Sequence, residues 1–308
     1  MKEYLASDIH FTRAGKVTCR NYTQLGYERL IRGVYARMPQ VQVHDDWAQR
    51  RAEFIPLVQG TMAEYEGRGA VLHGITALQV LGVALPHRIE DWVNCHVLFP
   101  PGVSRPKRCG VRAHRHPEVP KVWGRVMGMP VLHPMEHLLH VRGASDDDVI
   151  EIADGFLRRR NPLLELTDMR SVLDSLSGRP GIRQARRVMK WVRPNTDSLY
   201  ETRTRLILVR AGLPEPQVNL PVFCRGAGRW FHLDLGYEKE KLGIEYDGSV
   251  HVNNREQMEF DANRRRHLQD EGWLIITVTA TLLQTPIEIL RSVETALVLR
   301  QHTQVNRW

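Results

Sequence analysis

The spacing of apolar residues changes several times along this 308-residue chain, and each change predicts a different element. Between 45 and 85, "DDWAQRRAEFIPLVQGTMAEY" and "AVLHGITALQVLGVALP" predict two helices. "WVNCHVLFPP" and "GVRAHRH" then read as strands, and helices resume at Pro134. In "GIRQARRVMKWV", Ile182, Ala185, Met189 and Val192 share one helix face, with Arg183, Arg186, Arg187 and Lys190 mostly on the other. "RPNTDS" at 193–198 marks a boundary. Beyond it the order is helix, hairpin, helix, strand, helix, with a helix stop at Gly212 and the apolar run "WLIITVTA" expected as a buried strand.

The hairpin carries the chemistry. Alternation in "FHLDL" puts Phe231, Leu233 and Leu235 on one face, and His232 and Asp234 on the other. In "LGIEYDG", Leu242, Ile244 and Tyr246 oppose Glu245 and Asp247. With "GYEKE" as the turn, the strands pair antiparallel, and matched apolar faces bring His232, Asp234, Glu245 and Asp247 together. Three carboxylates within cross-strand reach repel one another. A hard cation such as Mg²⁺ or Mn²⁺ relieves that repulsion, and it can activate water for in-line displacement at phosphorus. The same pattern also suits an ordinary hairpin with its acids turned to water. The next helix ends at Gly272 and offers Asp261, Arg264 and Arg265 within one turn.

"LDLGYEKEKLGIEYDGSVH", "DANRRRHLQDEGW" and "LIITVT" resemble the very-short-patch-repair-like (Vsr-like) branch of the PD-(D/E)XK endonuclease superfamily. The matching positions are Asp234, Glu245, Asp247, Gly248, His251, Asp261, Arg264, Leu268, Gly272 and Trp273, within residues 196–283. The resemblance implies a restriction-endonuclease-like mixed sheet flanked by helices, a divalent cation, and hydrolysis of DNA phosphodiesters. It further implies Asp234 and Glu245 as metal ligands, Glu201 as a further metal-site acid, and Asp247 as a ligand or water-orienting group. His251 would handle protons, and Arg264 or Arg265 would hold phosphate. Asp247 stands where the superfamily's name places lysine; in this branch aspartate is the usual residue there. Ser198 and Glu201 also have the spacing of a capping box. The same chemistry would serve RNA.

The first 44 residues hold "VTCRNYTQLGYERLIRGVYARMP", read as a short helix at 17–25 followed by a basic hairpin. Lys16, Arg20, Arg29, Arg32 and Arg37 suit phosphate contacts of the winged-helix kind, and equally any solvated basic hairpin. "RLIRGVYARM", "AVLHGITALQVLGVALP" and "VRAHRH" resemble AbiEi-type antitoxins of type IV toxin–antitoxin systems. That resemblance implies DNA-binding regulation, with a cognate toxin or a phage or host protein as a further partner. The expected architecture is thus α/β. A basic winged-helix remnant (1–44) and a mostly helical α+β AbiEi-like region (45–193) precede the nuclease-like domain (194–308). The alternative function is a non-catalytic transcriptional regulator.

Charge adds direction. Of the net +8, residues 1–144 contribute 19 basic against 12 acidic side chains, and 145–308 contribute 24 against 23. The excess suits a polyanion such as DNA, or an arginine-rich wet surface. Cys19, Cys95, Cys109 and Cys224 form no CxxC pair, so neither a zinc ribbon nor a disulfide framework is supported. The N-terminal stretch lacks a signal-peptide core and no run is long enough to span a membrane, so a cytoplasmic protein is expected. "HPMEHLLH" places His133, His137 and His140 along one helical face; these histidines, and His73, read as structural.

Overall fold

The computed structural model describes residues 9–11, 24, 28–31, 34–36, 46–115, 118, 121–248 and 255–305. The protein is mixed α/β, with two mixed sheets flanked by helices. It divides into two compact units, Met1–Ser145 with Met169–Arg187, and Asp146–Asp168 with Val188–Trp308. The cut differs from the boundary expected at 194: residues 146–168 and 188–193 group with the C-terminal unit.

The first unit begins with an antiparallel sheet of β1 (Ile9–Phe11), β2 (Glu28–Ile31) and β3 (Val34–Ala36), in the order β1-β3-β2. The basic hairpin is thus formed by β2 and β3, while the helix expected at 17–25 lies, apart from residue 24, outside the described residues. Next come α1 (Asp46–Tyr65), β4 (Val71–Leu72), α2 (Gly74–Val80), β5 (Cys95–Phe99), β6 (Val111–Arg115), β7 (Gly124–Val126), β8 (Met129–Val131) and α3 (Pro134–Leu138). The five strands form one sheet, ordered β6-β5-β4-β8-β7. Phe54, Val58 and Met62 of α1 pack on Leu72, Val97 and Phe99, which gives this unit its core.

The chain continues through α4 (Asp146–Phe156), α5 (Leu166–Ser175), α6 (Ile182–Val188) and α7 (Leu199–Arg210). The C-terminal sheet comprises β9 (Gln217–Cys224), β10 (Arg229–Tyr237), β11 (Leu242–Asp247) and β12 (Leu274–Thr279), in the order β12-β11-β10-β9. The first three strands are antiparallel neighbours; β11 and β12 are parallel, and α8 (Arg255–Asp270) supplies the crossover that a parallel pair requires. The α8 helix stops where Gly272 adopts φ +85° and Trp273 N–H donates to the Leu268 carbonyl. Helix α9 (Pro286–Val305) closes the chain. The expectation of a buried "LIITVT" strand is corrected: β12 is an edge strand, with Leu274 exposed and the next three residues half-buried.

Both faces of this sheet are covered. Leu220, Val222, Phe231 and Leu233 pack with Leu268 of α8 and with Trp273. Leu235, Tyr237, Leu242 and Ile244 pack with Leu208 of α7 and with Ile289 and Val293 of α9. Leu233 and Leu235 therefore serve opposite faces, which corrects the simple alternation read from the sequence. The switch is shared by β9, where Val218 joins one cluster and Leu220 the other. Between them Asn219 holds φ +52°, a left-handed conformation that resets the alternation. Asp234 lies at the same switch.

The strands come close there. Gly236 lies opposite Gly243, and a Cβ on Gly236 would sit 2.4 Å from Leu220 Cδ2 and 3.1 Å from its Cβ. Gly236→Ala is therefore expected to cost about 1–3 kcal/mol in denaturant unfolding, through overpacking. An unchanged midpoint would contradict this packing.

Candidate active site

Helix α7 is built to hold Glu201 rigidly. The Ser198 side chain caps the helix by accepting from Glu201 N–H at 3.2 Å, and a Glu201 carboxylate oxygen accepts from Asp197 N–H at 3.0 Å. The helix is tied to α4 by buried ions. Fully buried Arg205 donates to Asp154 Oδ2 at 2.9 Å, to Glu215 Oε1 at 3.0 Å and to the Trp191 carbonyl at 2.8 Å. Asp154 also accepts from the Thr202 hydroxyl and from Arg193 N–H. Arg203 grips Glu151 with two bonds of 2.8 and 2.9 Å.

Asp234 and Glu245 come to the same place from the sheet. The β10–β11 register pairs Leu235 with Ile244, so the next step outward sets Asp234 opposite Glu245. Asp234 Oδ2 accepts from Tyr246 N–H at 2.8 Å, and the Tyr246 ring stacks on Tyr200 of α7 at 4.5 Å. Burial raises the Asp234 carboxyl to about 6; Glu245 and Asp197 add to the rise, while Tyr246 N–H and Arg264 oppose it. Burial and then the Asp234 charge push Glu201 up to about 8, against its bonds from Asp197 and Ser198. Three carboxylates from two strands and a helix thus share one electrostatic site, and two of them resist ionisation.

Glu245 has a cation already. Arg264 Nη1 donates to one carboxylate oxygen at 2.9 Å and Nη2 to the other at 2.5 Å; Nη2 also donates to the His232 carbonyl at 2.6 Å. Arg264, expected together with Arg265 as an alternative phosphate holder, is engaged with Glu245. Arg265 and Asp261 are exposed on α8, and Asp247 is exposed at the end of β11. His251, Lys16, Arg20 and Arg32 lie outside the described residues, as does the side chain of Arg29 in β2.

The donor set is oxygen only, the chemistry a hard divalent cation takes, and burial with a neighbouring carboxylate raises two of its members. Among the described residues, no three His, Cys, Asp or Glu side chains are arranged as a metal cage. The bidentate hold of Arg264 on Glu245 is one physical reason.

Asp197 and Arg159 were missed by sequence reasoning. They pair at 2.5 Å, and both bear on His232, whose imidazole is lowered by burial and Arg159 while Asp197 works against the shift. The available signal was the position of Asp197, immediately before the cap of α7.

No family model matches the chain. Two uncharacterized Mycobacterium tuberculosis proteins, from different strains, are each 24% identical over 208 residues, 67% of this chain and 74% of theirs. The crystal structure of the Rv2827c protein from Mycobacterium tuberculosis aligns with 57% of this chain and 66% of its own, at 16% identity and a TM-score of 0.34. Among the described residues, no helix is long and apolar enough to cross a membrane.

Proposed function

We propose that the C-terminal unit is a metal-dependent DNA endonuclease of the Vsr-like kind. The observation that carries this reading is the convergence of Asp234, Glu245 and Glu201, with Glu201 raised by burial and Asp234, and Asp234 by burial and Glu245. A fold gains nothing in stability from such a set, whereas a cation site needs it. A Mg²⁺ or Mn²⁺ ion held by Asp234, Glu201 and Glu245 would supply charge neutralisation at phosphate and a more acidic water. The chain's own groups do the rest. Ser198 and Asp197 fix Glu201, and Tyr246 N–H fixes Asp234. Exposed Arg265 faces incoming phosphate electrostatically. In hydrolysis the water oxygen bonds to phosphorus, the bond to the leaving sugar oxygen breaks, and the water proton passes to a base, for which Asp247 or His251 is the proposed residue.

A second reading has its own support. Arg264 neutralises Glu245 without a metal, as expected of a DNA-binding regulator that keeps the fold and not the chemistry. Nicking of supercoiled plasmid with Mn²⁺ decides between them. Asp234→Asn, close in shape, is expected to slow nicking by about two orders of magnitude. Cleavage equal to wild type would defeat the site assignment; binding without cleavage by the wild type would favour the regulator.

A further inference from the structure

A cavity of about 680 Å³ opens in the N-terminal unit, far along the sequence from the carboxylates. Its walls include His73, His114 and His140, four arginines (Arg105, Arg115, Arg142, Arg179), and the Gly178–Gly181 turn. That turn is closely fitted: Gly181 adopts φ +84°, and a Cβ there would lie 2.4 Å from the Leu139 carbonyl oxygen. No carboxylate is among the described residues lining the cavity. Arg105, Arg115 and Arg142 are exposed at its edge and pair with no carboxylate among the described residues. A second basic hollow, of about 480 Å³, shares Arg105, His114 and Arg115 and adds Lys107 and Arg112.

The histidines supply a different chemistry. Asp91 stays below the usual carboxylate range: burial opposes its charge, and hydrogen bonds led by Asn94 N–H outweigh it. An ionised carboxylate only accepts, so His96 Nε2–H donates to Asp91 Oδ2 at 3.1 Å. His96 Nδ1 and His114 Nε2 share a hydrogen bond of 3.0 Å; with His114 Nε2–H as its donor, His114 Nδ1 is left as an acceptor. His140 Nδ1–H donates to the Glu136 carbonyl at 2.7 Å and leaves Nε2 as an acceptor. His73 is 2% exposed, and its Nδ1 has no hydrogen-bond partner among the described residues. Burial and then His96 hold His114 down to about 4, with Arg142 and Arg105 contributing, so this ring is neutral at pH 7. A cationic edge and a lining of imidazole acceptors call for a ligand that is anionic at one end and rich in N–H or O–H donors at the other.

We propose that this cavity binds a nucleotide, with its phosphate on Arg105, Arg115 and Arg142 and its base or sugar donors on the His73, His114 and His140 rings. A free mononucleotide and the 5′-terminal nucleotide of a strand present the same chemistry. The volume lies within the range of ordinary small-molecule sites, and guanidinium groups suit phosphate oxygens. The site is independent of the nuclease reading, because it shares no residue with the carboxylates.

Calorimetry on the full chain carrying Asp234→Asn, in EDTA, keeps the two apart. The ligands are an equimolar mix of the four nucleoside 5′-monophosphates, the matching nucleosides, and a single-stranded 10-mer with a 5′-phosphate or a 5′-hydroxyl. The monophosphates are expected to bind at least tenfold more tightly than the nucleosides. Arg105→Ala/Arg142→Ala, two exposed positions that leave the core intact, is expected to remove at least tenfold. His114→Phe is expected to weaken the monophosphates while leaving inorganic phosphate unchanged. A 5′-phosphorylated 10-mer that outcompetes both the monophosphates and its 5′-hydroxyl form would identify a strand end as the source; the opposite order would identify the free nucleotide. The proposal is overturned if nucleosides bind as well as their monophosphates, if nothing binds below millimolar concentration, or if the double variant binds as wild type does.

Discussion

Asp154→Ala is expected to destabilise the C-terminal unit by about 3–5 kcal/mol, measured as the loss in denaturant unfolding free energy. The aspartate and Arg205 are both fully buried, so water cannot rescue whichever charge remains. Removal of Asp154 leaves the guanidinium with Glu215 and the Trp191 carbonyl, and leaves the Thr202 hydroxyl and Arg193 N–H without their acceptor. Each orphaned neutral group adds about 1–3 kcal/mol of desolvation cost where it stays buried. The double change Asp154→Leu/Arg205→Met removes both charges and is expected to recover most of the loss, as apolar replacements of buried pairs commonly do. A loss below about 1 kcal/mol for Asp154→Ala would mean that the pair is wetter than its geometry shows. The consequence reaches the carboxylates, because this ion network fixes α7 against α4, and α7 carries Glu201.

The α/β class and the β10–β11 hairpin were legible in the sequence, whereas this ion network was not, and the limits have physical causes. Alternation in "LGIEYDG" located β11, and "GYEKE" located the turn, because a two-residue period and a turn are local properties. The division of faces along β10 was misread. Alternation has no memory of a neighbouring strand, and the left-handed Asn219 that resets it lies fifteen residues earlier on β9. Edge and centre were likewise invisible: "LIITVT" is apolar enough for a central strand, yet only sheet order makes β12 an edge. Arg264 pairs with Glu245, and sequence spacing cannot tell a phosphate holder from a residue that clamps that carboxylate. The chain of Asp91, His96 and His114 was missed for the same reason, since its members come from a loop and two paired strands. In the first unit His73 and His140, separated by 67 positions, meet with ring centres 4.5 Å apart.

Glu201→Gln is expected to raise the melting temperature at pH 8.5 and to leave it nearly unchanged at pH 4. The sign follows from linkage. Glu201 ionises near 4.5 when unfolded and near 8 when folded, so its contribution to stability is complete below pH 4.5 and is lost as pH rises through 8. Glutamine keeps the neutral form at every pH, and its carbonyl still accepts from Asp197 N–H. Because Asp234 shares the repulsion, roughly 2–4 kcal/mol of the separation belongs to Glu201, or about 5–10 °C in melting temperature for a unit of this size. A divalent cation would act on the same quantity. If Mg²⁺ binds Glu201 and Asp234, it favours their ionised forms, so 10 mM MgCl₂ at pH 8.5 should stabilise the wild type and narrow its gap to Glu201→Gln. Binding should also release protons, with the heat of titration changing between buffers of different ionisation enthalpy. A gap that persists at pH 4 would show that the glutamine acts through packing instead of charge. A wild type indifferent to both pH and Mg²⁺ would remove the electrostatic basis of the metal site, since carboxylates that neither repel one another nor gain from a cation have no reason to converge.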